Sequence, residues 1–444
     1  MRLATKMDGK CALLELPLEL QDMIFKEVLV QPSQAPQLLQ TCREIYTKAH
    51  KFIFQRALNF QSQSALQRWI QQVPRDYLQY VGEIAFELQD VDLTPLLAST
   101  TTFSAVSDSV ASPLHTWDVY MKDLADLRQA FEALPNVKKL MFRALAGRQS
   151  HLYRDYLDKV LETMGTIYPS IQELSLEGNM HHQSLTFLRT FKGLKSFSFD
   201  GFSASEAPET AEILSSLQLR NISLVSQQAV LTPTYHQHSG FTSKLQSFDS
   251  SVLRTLDQLV SFSVTEQYHA TSSALFFTSE ILGSLYDHST LSSLSILLSY
   301  SPEASTLEAL EQFLERSSSI RRLELDWSGL DPDILGRYAL LPDSLQSLWI
   351  RAHGMTAAFD ILWHVLSSRE AGDVPNLRRV VLGRHVCDTT AKGDEEGGVI
   401  SAMIQTAGGP SATERRWVSV MSPACFKIFL LPHVLLVTGP CMYG

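Results

Sequence analysis

Residues 171–179 read Ile-Gln-Glu-Leu-Ser-Leu-Glu-Gly-Asn, with apolar side chains at 171, 174 and 176. The spacing of two between Leu174 and Leu176 puts both on one face of a strand, and Ile171 enters that face from the turn before it. Asn179 falls where the chain must leave the strand, and its side-chain amide is suited to bond backbone groups of that turn. The same frame, apolar-x-x-apolar-x-apolar, occurs as VGEIAF at 81, VKKLMF at 137, LKSFSF at 194 and LRNISL at 219. It continues as LVSFSV at 259, LSSLSI at 291, IRRLEL at 320, LQSLWI at 345 and LRRVVL at 377. From 137 onward the intervals are 34, 23, 25, 40, 32, 29, 25 and 32 residues, a mean of 30.

Chance alone supplies many such frames. Hydrophobic residues are 45% of the chain, so three fixed apolar positions match with a frequency of roughly 0.09, or about 40 windows. Three features lift the pattern above that background. The apolar positions are filled by Leu, Ile, Val and Phe rather than Ala or Cys. Helix-like segments with turn residues separate the frames, at 153–168, 307–316 and 357–367 among others. Asn179 stands where the leucine-rich repeat places its asparagine, and the spacing is close to that repeat's period of roughly 20–29 residues. The array therefore resembles a degenerate leucine-rich repeat with longer loops, since most copies lack the asparagine. An ordinary α/β domain with a parallel sheet shows the same alternation and is the rival architecture.

The N-terminal sixty residues follow another rule. Leu16, Leu20, Ile24 and Val28 recur every four residues, with Met23, Phe25 and Leu29 widening the stripe, which predicts a helix. Pro17 suits its first position, Glu19 suits the positive end of its dipole, and the helix should stop near Val30 ahead of the two prolines at 32 and 36. A second helix is predicted from Pro36 or Gln37, with Leu38, Cys42, Ile45 and Ala49 as its apolar stripe, so that Cys42 is expected to be buried and inert. Two helices this short need a partner for their apolar faces. Residues 52–60 alternate as a strand or extended connector, and Ser62 or Ser64 should cap a helix running to Val73.

The residues Leu16-Pro17, Leu20, Ile24-Phe25 and Leu29, then Leu38 or Leu39, Cys42-Arg43 and Tyr46, resemble the F-box in its fungal form. The resemblance covers about 45 residues. It departs from the family between the helices, where residues 32–36 replace the usual acidic-leucine step, and at Ile45-Tyr46, where a tryptophan is common. It implies a small helical bundle that docks on the Skp-type adaptor of a cullin ubiquitin ligase, with Leu16, Pro17, Leu20, Ile24 and Phe25 as the adaptor-facing surface. It also implies that the rest of the chain is the irregular leucine-rich solenoid of fungal F-box proteins and receives a protein substrate. The bland alternative is a helical hairpin capping its own C-terminal body in a non-ligase leucine-rich-repeat scaffold. Burial of Leu20, Ile24 and Phe25 against the first repeats would mark that case.

The expected fold class is thus α+β or α/β, a small N-terminal helical F-box followed by an irregular leucine-rich-repeat-like solenoid. The expected divisions are a flexible N-terminus at 1–10, the helical domain at 11–60 and the repeats at 61–388, with a Ser/Thr-rich loop insertion at 99–118. A flexible loop follows at 389–416, and 417–444 is either a capping strand or segment, or a tail foreign to the mature protein. Its apolar run at 425–437 is interrupted by Lys427, Pro432 and His433 and is too short to span a bilayer.

Composition bounds the function. Lys and Arg total 37 against 47 Asp and Glu, a net charge of −10, which opposes nucleic-acid binding as a main role. Cys11, Cys42, Cys387, Cys425 and Cys441 show no CxxC pairing, as in a reduced intracellular protein of the cytoplasm or nucleus. No nucleotide, nucleophile or zinc-protease motif occurs. His181-His182 and His236-x-His238 lack nearby cysteines, and Glu308, Glu311 and Glu315 share one solvated helix face. No catalysis, metal, cofactor, membrane or nucleic-acid contact is expected. The x positions of each strand should line the concave face of the solenoid, with Lys139, Met141, Arg143, Glu173, Ser175 and Glu177 in early repeats. Late in the array the same positions hold Arg322, Glu324, Asp326, Ser347, Trp349, Arg351, Arg379 and Val381. Trp349, flanked by arginines, has the composition of a binding hot spot, so Trp349, Arg351, Arg322, Glu324 and Arg379 are the candidate substrate-binding residues. The competing reading packs Trp349 beneath a loop or the tail.

Overall fold

The computed structural model describes residues 12–30, 35–93, 115–147, 149–226, 246–267, 274–352, 355–384, 398–403 and 435–440. They belong to two compact units, one formed by residues 1–179 with 187–194, the other by 180–186 with 195–444.

The first unit opens with helices α1 (Leu18–Val30), α2 (Ala35–Leu39) and α3 (Arg43–Ala49), followed by a 3-10 turn, His50–Gln55. Phe25, Leu29, Ile45, Ala49 and Phe52 close a small core between them, with Leu13, Leu14, Leu38 and Leu39 at its margin. The single second helix of the sequence reading is in fact two. Cys42 adopts an extended conformation (φ −158°) and its Sγ accepts the Ile45 N–H at 3.5 Å, capping α3. Cys42 is consequently exposed rather than buried, because the stripe that would have covered it needs an unbroken helix. The segment 52–60 is extended only at strand β1 (Leu58–Phe60). Ser62 caps helix Gln63–Gln72, which ends at Val73 as Pro74 requires.

Strands β2 (Glu83–Glu87), β3 (Lys139–Arg143) and β4 (Glu173–Glu177) continue from β1 in a four-stranded parallel array. Parallel neighbours need a crossover, and helices His115–Glu132 and His151–Ile167 supply two of them. Residues 99–114 of the expected loop insertion lie outside the described residues, while 115–118 are helical. They form the first turn of a helix that buries Tyr120, Leu127 and Phe131. The Tyr153 hydroxyl donates to the Leu88 carbonyl at 2.9 Å and accepts the Leu145 N–H at 3.0 Å, so a buried polar tip is satisfied on both sides. The Tyr156 hydroxyl donates to the carboxylate of Asp123, and burial pushes the Asp123 carboxyl above its ordinary range.

Asn179 behaves as its position predicts. It is 7% exposed, and its amide Nδ2 donates to the Gly147 carbonyl at 3.3 Å. Gln149 donates in turn to the Asn179 carbonyl at 2.8 Å. Gly178 ahead of it has φ +88°, and a Cβ there would stand 2.0 Å from the Ala144 carbonyl oxygen, so glycine is required.

The second unit stacks seven parallel strands: β5 (Ser196–Phe199), β6 (Asn221–Ser226), β7 (Ser261–Glu266), β8 (Ser293–Leu298), β9 (Arg322–Asp326), β10 (Ser347–Ala352) and β11 (Arg379–Arg384). All ten frames of the sequence reading are therefore strands. In both units the strands alternate with helices in a solenoid-like stack whose apolar frame positions are buried. Residues 398–403, expected within a loop, form β12 (Gly398–Met403), antiparallel to β11, and β13 (Leu435–Pro440) pairs antiparallel with β12. The physical reason is the edge of β11, whose backbone groups would otherwise lack partners. Glu266 at the end of β7 is 2% exposed and accepts the backbone N–H groups of Leu275, Phe276 and Phe277 at 3.2, 2.7 and 2.9 Å, together with the Tyr300 hydroxyl at 2.7 Å. Among the described residues no helix is long and apolar enough to cross a membrane.

Candidate interaction surfaces

Helix α1 is apolar on two sides. Phe25 and Leu29 are fully buried in the small core, yet Leu20, Met23 and Ile24 are 45%, 66% and 37% exposed. At 100° per residue, Leu20, Met23 and Ile24 fall within about 100° of arc, while Phe25 lies about 140° from Leu20. Of the five residues expected to face an adaptor, Leu20, Ile24 and Pro17 are exposed, Leu16 is partly exposed, and Phe25 is not available. Phe25 is corrected to a core residue: one helix cannot offer both Leu20 and Phe25 to the same partner. Leu18 and, on α3, Tyr46 add exposed apolar surface at 58% and 54%.

The start of α1 is held by a residue the sequence reading passed over. Gln21 is 3% exposed; its Nε2 donates to the carbonyls of Leu14 and Leu16 at 3.0 and 2.7 Å, and its Oε1 accepts Lys48 Nζ at 3.3 Å. It ties the segment carrying Leu16 and Pro17 to α1 and α3. A buried glutamine flanked by apolar residues carries no motif that would single it out.

The second surface is the open face of the strands, where most x residues of the frames are exposed or partly exposed, while Asp326 and Val381, expected on that face, are buried at 6% and 8%. In the first unit it is neutralised across strands: Lys139 Nζ lies 2.9 Å from Glu173, and Arg143 Nε lies 2.7 Å from Glu177. In the second unit the same face is lined on β5–β8 by Ser198, Ser223, Ser263 and Ser295, in register with one another. That row continues through Glu324, Trp349 and Val381 on β9–β11. Trp349 is partly buried, and the Arg351 guanidinium sits 5.2 Å from its ring centre. Arg351 Nη1 also reaches Asp326 Oδ2 at 2.9 Å, and Glu324 accepts the Ser295 hydroxyl at 2.7 Å. Arg322 and Arg379 do not flank the indole directly. They flank Ser347, one strand repeat away, where both are exposed. The structure thus brings Trp349, Arg351 and Glu324 into one row or contact and sets Arg322 and Arg379 in a second row beside it.

His181 Nε2 is 3.0 Å from Asp200 Oδ2, and His236 and His238 lie outside the described residues. No group of three His, Cys, Asp or Glu side chains placed to hold a metal occurs among the described residues.

No family model and no curated protein matches the sequence. Solved structures with a similar arrangement include a chain of the yeast Rad7 and Elc1 complex, at 12% identity over 81% of this chain and 87% of that one, with a TM-score of 0.36. Internalin C2 from Listeria monocytogenes matches at 14% identity over 58% of this chain and 82% of its own, TM-score 0.20. An LRR protein from Leptospira interrogans matches at 12% identity over 72% and 99%, TM-score 0.17. With superposition scores this low, none of them carries a function over to this chain.

Proposed function

We propose that this chain is a non-catalytic substrate receptor of a cullin-type ubiquitin ligase, its N-terminal F-box-like helices binding the Skp-type adaptor and its repeats binding a protein substrate. The observation that carries the reading is the division of α1 into a buried side, Phe25 and Leu29, and an exposed apolar side, Leu20, Met23 and Ile24. A helix that only capped its own repeats would bury both. Exposed apolar side chains in a contiguous stripe favour a partner surface. The ligase reading then makes the chain a tether that raises the local concentration of substrate near a charged enzyme.

The test is capture of the full chain by purified Skp-type adaptor, with a Leu20→Asp/Ile24→Asp variant as control. Capture that the variant abolishes supports the reading. No capture of a folded chain returns it to the alternative, a leucine-rich-repeat scaffold for protein–protein interaction without a ligase.

A further inference from the structure

At the leading edge of the strand face in the second unit stand arginines that, among the described residues, form no ion pair with a carboxylate of a neighbouring strand. Arg321 and Arg378 stand one residue ahead of β9 and β11, and Arg322 and Arg379 open those strands; all four are exposed. Ser347 pairs with Arg322 on one side and Arg379 on the other, and Gln346 bonds the backbones of Arg321 and Arg378 at 2.8 and 2.9 Å. Four arginines therefore stand at the starts of β9 and β11, with the uncharged Gln346 and Ser347 of β10 between them, a span of about 10 Å. Lys195 and Arg220 hold the same position ahead of β5 and β6, parted from β9 by Val260 and Ser292 ahead of β7 and β8. The two rows hold six Lys or Arg and no Asp or Glu. Asp343 and Asp373 lie in the turns ahead of β10 and β11, and among the described residues neither is ion-paired with these arginines.

The first unit shows what the same positions look like when the chain balances itself, since Lys139 and Arg143 each meet a glutamate on the next strand. At β9–β11 the neighbouring strand offers Gln346 and Ser347 in place of a glutamate, so among the described residues the arginines have no acidic partner across the sheet. Guanidinium forks match carboxylate and phosphate oxygens in pairs. Beside them the next row on β9–β11 holds Glu324, Trp349 and Val381, with the serines of β5–β8 beyond Glu324, so the arginines adjoin one carboxylate and one aromatic platform. Glu324 and Asp326 on β9 and the net charge of −10 confine any anionic ligand to the starts of β9 and β11, which suits a short acidic segment and opposes a continuous nucleic-acid backbone.

We infer that the β9–β11 face binds an acidic segment of a partner protein, its carboxylate or phosphate groups seated on Arg321, Arg322, Arg378 and Arg379 and an adjoining side chain on Trp349. The inference rests on the reading of the repeats as the partner-binding part of the chain and names the chemistry they receive. Fluorescein-labelled decaglutamate, a decapeptide alternating phosphoserine and glycine, and decalysine are titrated into the full chain by fluorescence anisotropy. Binding of either acidic peptide, weakening as salt rises, with none of decalysine, is the expected result; the stronger of the two tells carboxylate from phosphate. Arg322→Ala/Arg379→Ala, and separately Arg321→Ala/Arg378→Ala, should each weaken binding about tenfold or more, the loss of charge-assisted contacts. An unchanged melting temperature certifies that the variants are folded. No binding of either acidic peptide, or binding indifferent to both double variants, overturns the inference. Adaptor capture measured on the same samples separates the two proposals, because it depends on α1 and not on these arginines.

Discussion

Leu20 and Phe25 share helix α1 but point about 140° apart, the first 45% exposed and the second fully buried. The pair therefore separates docking from folding. Leu20→Asp/Ile24→Asp alters half-exposed side chains outside the small core and should cost clearly less stability than Phe25→Ala, about 1 kcal/mol per site, while abolishing adaptor capture. Phe25→Ala should cost about 3–5 kcal/mol and disorder the N-terminal helices. Denaturant titration beside the capture assay checks both. Capture that survives the aspartates in a folded protein would reject the α1 surface.

Arg351 bridges two neighbours, with Asp326 at 2.9 Å and the Trp349 ring at 5.2 Å. Its side chain is 27% exposed, and Asp326 is 6% exposed. Arg351→Met should destabilise the second unit by about 1–2 kcal/mol and loosen the indole. Trp349→Ala removes a partly buried ring but orphans no buried charge, so it should cost less stability than Arg351→Met and weaken partner binding by about 2 kcal/mol. The two variants are told apart by chemical denaturation on one side and peptide anisotropy on the other; equal effects of both on stability would contradict the assignment.

Glu266 secures three consecutive backbone N–H groups, two of them belonging to the buried Phe276 and Phe277. Glu266→Ala orphans these donors and should cost about 3 kcal/mol or more, whereas Glu266→Gln keeps one acceptor oxygen and should cost less. Hydrogen exchange at residues 275–277 is the direct measurement, and protection retained in the alanine variant would refute the anchoring role.

His288 is 6% exposed, and burial lowers its pKa below the ordinary 6.5 despite backbone hydrogen bonds with Leu253 and Leu256. The unfolded chain then takes up a proton at about pH 6.5 that the folded protein resists. The neutral ring's contribution is complete above pH 6.5 and is lost as pH falls below it toward the folded value. Unfolding free energy should decline between pH 7.5 and 5.5, and His288→Gln should flatten that part of the decline. An identical slope in wild type and variant would remove His288 as its source.

Much of the fold was legible because its signal is local. A strand covered on one side must alternate, and the ten frames from VGEIAF to LRRVVL became legible as strands through their Leu, Ile, Val and Phe content, their spacing and the helical segments between them. The Ser62 cap and the stop before Pro74 are readable for the same reason. The break at Cys42 was not legible, since a stripe at 38, 42, 45 and 49 suits one helix or two, and only the cap geometry decides. Strand β12 was hidden because its formation depends on an edge supplied by β11 and not on its own Gly-led sequence.

The candidate surfaces divide along the same line. Residue order alone determined that α1 is amphipathic, that the strand faces alternate, and that Trp349 and its arginines point outward. Tertiary packing decided which side of α1 the core would consume, and it took Phe25 while leaving Leu20 and Ile24 in solvent. It also decided the register that sets Arg322 and Arg379 around Ser347 and places Arg351 between Trp349 and Asp326. Except for Arg351 and Trp349, those relationships join residues more than twenty positions apart, and a one-dimensional pattern holds no term for the hydrogen bonds that align them.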